Sequence, residues 1–102
     1  MRAWLDDCRP MPDDFDTHVK TAEEAIALLQ TNKVTLISLD HDLGTDKTGY
    51  DVAKWIEEHA ANGTLKELCP RVHSQNPIGK RNIQMALRNA CNYWMQRDSS
   101  CT

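Results

Sequence analysis

Asp6-Asp7, Asp40-His41-Asp42 and His73-Ser74 are the residues of this chain that could do chemistry together. Each group follows a short apolar run: Arg2 to Leu5, Thr35 to Leu39, and Arg71-Val72. Runs of this kind read as strands, and a strand ending in charged groups carries them to the carboxyl edge of a sheet, where open α/β sheets bind ligands. Asp and Gly are also ordinary turn residues, so one such stretch alone is equally a strand entering a turn. The combination is what points to a site. Asp6, Asp7, Asp40 and Asp42 in one crevice make a hard oxygen donor set for a divalent cation, Mg²⁺ or Mn²⁺. The histidines would also admit a transition metal. His41 and His73 suit acid and base roles because imidazole titrates near neutrality. A metal-bound water activated by Asp40 would serve instead, and the residues do not choose between the two. Ser74 lacks the Gly-x-Ser-x-Gly setting of a serine nucleophile. His18 and His59 occupy exposed-looking positions and read as structural.

An anion-binding half follows. Asn76-Pro77 opens the last helix, whose N-terminal amides and positive dipole end face the same crevice. Gly79 would let a phosphate approach the backbone, Lys80 and Arg81 bring positive charge, and Asn76 and Asn82 can hydrogen-bond phosphate oxygens. Ser74 belongs with these candidates, as does Arg9 in the loop after the first strand.

The elements that must position these groups are legible from caps and periodicity. Thr21 and Glu24 form a capping box before Ala22, Ala25, Ile26 and Leu29, giving a helix from Ala22 to about Gln30 that Asn32 closes. Thr48 and Asp51 form a second box before Val52, Trp55 and Ile56, and Asn62-Gly63 stops that helix. Ile83, Leu87, Ala90, Cys91 and Trp94 line the inner face of the last helix. Short strands are expected over His18 to Lys20 and Arg71 to Ser74, with Pro70 blocking continuation of the segment before it. Pro10 and Pro12 make Cys8 to Phe15 a loop. The order β-β-α-β-α-β-α predicts a parallel sheet with right-handed crossovers in one domain over residues 1–97, with a polar, frayed tail over 98–102.

Composition excludes several classes. At 40% hydrophobic and 26% charged residues the 102-residue chain reads as an ordinary globular domain. A net charge of -3 gives no global attraction to double-stranded DNA or an anionic membrane, so a polyanionic ligand must be caught by a local basic patch. No signal peptide or membrane span is expected. The four cysteines form no CxxC pair and read as reduced and cytoplasmic, with Cys69 and Cys91 as small buried residues.

Leu5-Asp6-Asp7, then Leu39-Asp40-His41-Asp42-Leu43-Gly44, then His73-Ser74-Gln75-Asn76-Pro77 with Gly79 and Asn82, resemble in content and order the cyclic-phosphate processing receiver-like domains. These are divergent relatives of two-component receivers, and the resemblance covers roughly residues 2 to 94. It implies a flavodoxin-like three-layer sandwich with about four parallel strands in the order 2-1-3-4, and a site at the switch between the first and third. In an ordinary receiver Asp6-Asp7 would match the acidic pair, Asp40 the phosphate-accepting aspartate, Gly49 the glycine opening the next helix, and Ser74 the Ser/Thr position. The first helix is reduced to a turn, and the lysine-bearing fifth strand has no counterpart here. The implied activity is hydrolysis of a cyclic phosphate, either a 2′,3′-cyclic RNA end or a cyclic nucleotide, so the partner is a phosphate-containing small molecule or an RNA end. The alternatives are a receiver-like signalling module that takes phosphate on Asp40 and a non-catalytic binder that sequesters a nucleotide.

Overall fold

Strands β1 (Arg2–Leu5), β2 (Thr17–Val19), β3 (Leu36–Leu39) and β4 (Cys69–Val72) form one parallel sheet in the order β2-β1-β3-β4 in the computed structural model, which describes residues 1–100. Helices α1 (Ala22–Leu29), α2 (Gly49–Asn62) and α3 (Pro77–Ser100) complete the expected reduced receiver, flavodoxin-like fold. None of these helices is long and apolar enough to cross a membrane.

Alternation along the strands divides the sheet's two faces. Ala3, Leu5, Ile37 and Leu39 are fully buried in one core with Ala25, Leu29, Val52, Ile56 and Ile83 of the helices. Trp4 and Ser38, paired in register, project the other way. The β2-α1-β3 and β3-α2-β4 crossovers step across the sheet in the same direction, so right-handedness puts both helices on one face. α3 packs along α2 on that face. The β1-β2 connection steps the opposite way, and the layer a helix would supply there is instead the irregular segment 6–16. Its Phe15 meets the Trp4 ring edge-on at 5.1 Å.

Both N-caps form, but only Thr48 and Asp51 complete a reciprocal capping box; at α1 the Glu24 carboxylate accepts from the Lys20 amide at 3.3 Å instead of the Thr21 amide. The Thr21 hydroxyl accepts from the Glu24 amide at 3.1 Å, and the Asp51 carboxylate accepts from the Thr48 amide at 2.8 Å. Gly63 ends α2 at φ 83°, a left-handed turn that glycine adopts without cost.

Several expectations shift. β2 begins at Thr17 rather than His18, and β4 begins at Cys69 and includes Pro70. The amides of Cys69 and His73 donate toward β3, to Thr35 and Leu39. By alternation the nitrogens of 70 and 72 face away from β3. Pro70 therefore sits where its missing N–H removes no ladder bond, on an edge strand that tolerates it. Cys69 is exposed and Cys91 half-buried, not both buried, because β4 has no outer neighbour to cover Cys69. Of the tail expected over 98–102, α3 takes in 98–100, and 101 and 102 lie outside the described residues.

The start of α2 is seated by Gly49, whose N–H donates to the His41 carbonyl at 2.9 Å. A Cβ there would stand 1.8 Å from the Asp40 carbonyl oxygen. Backbone cannot yield as a flexible side chain does, so Gly49→Ala is expected to destabilise the fold by more than about 2 kcal/mol. Loss of the neighbouring cap in Thr48→Ala is expected to cost only about 1 kcal/mol. Urea unfolding of the two variants measures the difference.

Candidate functional site

Asp6 has no solvent exposure, although it follows β1 directly and its neighbour Asp7 is exposed. The chain turns tightly after Asp6, so that Oδ1 accepts from the backbone N–H groups of Cys8 and Arg9, both at 2.8 Å. His73, just past the end of β4, brings Nε2 to 3.1 Å from Oδ2. Burial pushes the Asp6 carboxyl upward, but the Arg9 and Cys8 amides and His73 together outweigh it and hold its pKa below the usual value. The carboxylate stays ionised in the interior because its hydrogen bonds favour the charged form.

The His73 ring is held on three sides. Nδ1 lies 2.7 Å from Ser38 Oγ, and the ring stacks on Trp4 at 3.7 Å with planes 8° apart. Burial lowers the imidazole pKa, against the raising effects of Asp6 and Asp40, so the ring is neutral near pH 7. The neutral form that satisfies both contacts carries its proton on Nε2, donates to Asp6 and accepts from the Ser38 hydroxyl. Both nitrogens are then committed within the protein, and His73 serves to position Asp6.

One oxygen each of Asp6, Asp7 and Asp40 lie within 4.8 Å of one another. Asp6 Oδ2 keeps a lone pair after bonding His73, Asp40 Oδ1 accepts from the His41 amide at 2.8 Å and leaves Oδ2 free, and Asp7 makes no hydrogen bond among the described residues. Three carboxylate oxygens are thus available, a donor set suited to a hard divalent cation. Asp42 does not join them. β3 ends at Leu39, so the extended alternation that would have aligned Asp42 with Asp40 stops, and the Asp42 side chain is 68% exposed.

Asp42 instead pairs with its neighbour: His41 Nδ1 lies 2.9 Å from Asp42 Oδ1. The other oxygen accepts a long bond from Asn76 Nδ2 at 3.5 Å. The His41 ring, 19% exposed, lies where a Gly79 side chain would be, since a Cβ there would come within 2.3 Å of the ring's Cγ. Gly79 therefore gives its space to the imidazole, not to a phosphate. His41 Nε2 has no hydrogen-bond partner among the described residues.

The remaining candidates divide. Asn76 caps α3, its Oδ1 accepting from the Gly79 amide at 3.0 Å, so its side chain is occupied by the helix start. Buried Ser74 accepts from the Asn76 amide at 3.1 Å and shapes that turn. Arg9 donates to the His73 carbonyl at 3.0 Å, tying the first loop to β4. Lys80 and Arg81 are exposed at the start of α3. Asn82 faces α2 rather than the crevice, lining a cavity of ≈ 260 Å³ with Tyr50 and Glu57. Ser38 and Trp4, absent from the sequence-derived candidates, fix the His73 ring. An out-of-phase serine in an apolar strand was the available signal for Ser38. His18 is not idle, because its Nε2 bonds the Asp6 carbonyl at 2.8 Å, but this is a structural contact.

A family model described as a cyclic-phosphate processing receiver domain matches residues 1–89, which include every residue of the crevice. No curated protein and no solved structure matches the chain.

The depressed pKa of His73 makes stability depend on pH. Below its ordinary value of 6.5 the unfolded chain takes up a proton that the folded ring declines, so protonation favours unfolding. The contribution is complete above 6.5 and is lost as pH falls toward the lower folded value. Urea unfolding at pH 7, 6 and 5 is expected to show this decline, and His73→Gln to flatten it. Asp6 adds a second loss below its ordinary 3.8, as its lowered folded pKa is crossed.

Proposed function

The chain belongs to the cyclic-phosphate processing receiver family, and on that premise we propose that it hydrolyses a cyclic phosphate, with His41 as the acid–base group. The observation that carries this reading is the Asp42–His41 pair on Gly79. A carboxylate on Nδ1 fixes the tautomer that leaves Nε2 as a lone pair, and the glycine holds the ring against α3. In this reading Nε2 takes a proton from a water as its oxygen attacks phosphorus. The bond to one ring oxygen of the cyclic phosphate breaks, that oxygen is protonated, and a phosphomonoester remains. Charge developing on the phosphoryl oxygens needs cationic stabilisation, which Lys80 supplies from the exposed start of α3.

Asp6, Asp7 and Asp40 are the residues that would hold a divalent cation, Mg²⁺ or Mn²⁺. Bound there, it would offset phosphate charge and lower the pKa of a coordinated water. His73 acts through Asp6, keeping that carboxylate ionised and aimed. The free cysteines Cys8, Cys69 and Cys91 fit the reducing cytoplasm as the setting.

Turnover of 2′,3′- and 3′,5′-cyclic nucleotides with Mg²⁺ or Mn²⁺ tests the proposal. His41→Ala is expected to lower kcat about 10²- to 10⁴-fold, the usual worth of a positioned acid–base group. Asp42→Asn is expected to lower it less while shifting the pH profile. No turnover on any compound, with tight ligand retention, would replace the enzyme with a sequestering module. Labelling by acetyl phosphate that vanishes in Asp40→Asn would replace it with a signalling switch.

A further inference from the structure

Four of the five large apolar side chains exposed among the described residues belong to α3: Ile78, Met85, Tyr93 and Met95. Ile78 is 74% and Met85 61% exposed, so the domain's own core does not use them. Ile78, Arg81, Met85 and Arg88 follow one another at intervals of three and four residues, which puts them on one stripe of the helix. Asn92 and Met95 continue that stripe, and from Ile78 to Met95 it runs about 25 Å.

Arg81, Gln84, Met85 and Arg88 line a hollow of ≈ 120 Å³ on the stripe. Gln84 and Arg88 also line a groove of ≈ 420 Å³ between α3 and β4, together with Arg71 and the apolar Pro70, Val72, Leu87 and Cys91. The groove and the hollow are therefore one surface, joined through side chains that line both. No carboxylate lines either part. Arg71, Arg81 and Arg88 are exposed and make no ion pair or side-chain hydrogen bond among the described residues. On the α2 side the next hollow shares Met85 and brings in Glu57, which Asn89 holds at 2.5 Å, so the cationic strip ends there. None of the residues lining the groove or the smaller hollow belongs to the crevice at the strand ends.

We infer that this surface docks an acidic amphipathic helix of a partner protein, with its apolar ridge in the groove and its carboxylates on Arg71, Arg81 and Arg88. An apolar floor beside an exposed methionine, rimmed by unpaired arginines, has the layout of a protein interface with its core and its polar rim. The rim selects a partner of opposite charge. A helix satisfies its own backbone, whereas a peptide adding to β4 as a strand would not be served. Of the outward-facing edge positions 70 and 72, proline occupies the first, which leaves one backbone donor, from Val72. RNA is disfavoured because no aromatic ring lines the groove or the hollow to stack a base. A second copy presenting the same face would set arginine against arginine.

The test is fluorescence anisotropy of the full chain with a labelled, hydrocarbon-stapled helical peptide of about four turns, carrying leucines along one face and glutamates beside them. It is expected to bind at least about tenfold tighter than a peptide of the same composition with leucines and glutamates scrambled, and tighter still than one with lysines for glutamates. R71E/R88E is expected to weaken the amphipathic peptide about tenfold or more and to remove most of its salt dependence. R71Q/R88Q is expected to fall between, and a urea midpoint like that of the parent identifies variants that fold. Equal binding of the scrambled peptide, or binding that R71E/R88E leaves intact, overturns the docking surface. A hexaribonucleotide that displaces the peptide at equal concentration reassigns the surface to nucleic acid. A dimer in sedimentation equilibrium that R71E/R88E dissociates reassigns it to a second copy of the chain.

Discussion

A carboxylate without solvent exposure sits just past the central strand, and three hydrogen bonds allow it to remain charged there. Two come from the turn that follows β1, and the third comes from the residue that follows β4. Asp6 thus joins the beginning of the chain to its last strand across β3. Removing any partner would leave a buried charge under-satisfied, a costlier state than never having buried it. The neighbouring contacts serve this one. Trp4 and Ser38 fix the imidazole, His18 holds the Asp6 carbonyl, and Arg9 holds the His73 carbonyl.

The two histidines at the strand ends are alike in sequence context and opposite in circumstance. His73 has both nitrogens engaged and is depressed in pKa by burial, which suits a fixed neutral donor. His41 is held by one nitrogen and by a glycine against its ring, and its other nitrogen has no hydrogen-bond partner among the described residues. The functional reading follows from that division, since a group whose hydrogen bonds are all internal has nothing left with which to meet a ligand.

Much of the frame was legible because it rests on local rules. Thr21, Thr48 and Gly63 mark helix ends by side-chain and backbone chemistry that needs no tertiary context. The strand order follows from parallel crossovers of one hand. The site was legible as a set of residues but not as a set of roles. Asp6 and Asp7 are the same residue type side by side, and only the turn amides decide which is buried. Asp42 and Asp40 share a face only in an extended chain, and the strand ends before either. Gly79 signals that something approaches the backbone without saying that it is an imidazole. Asn76 and Asn82 carry the same amide, and the helix turns one toward its own cap and the other toward α2. Pro70 reads as a strand breaker until β4 is known to be an edge.

The strand order also sets when this protein can become whole. β1 is made first yet lies in the middle of the sheet, and its two neighbours arrive later, β3 after β2 and α1. The Asp6–His73 bond closes a separation of 67 residues. Pairings of such range form slowly because the intervening chain must be ordered before they return any stability. During synthesis Asp6 therefore waits without its imidazole until β4 has emerged, and the apolar faces of β1 and β3 wait with it. The crevice is among the last features to assemble, so chains stopped short of His73 carry the acidic residues without the geometry that makes them a site.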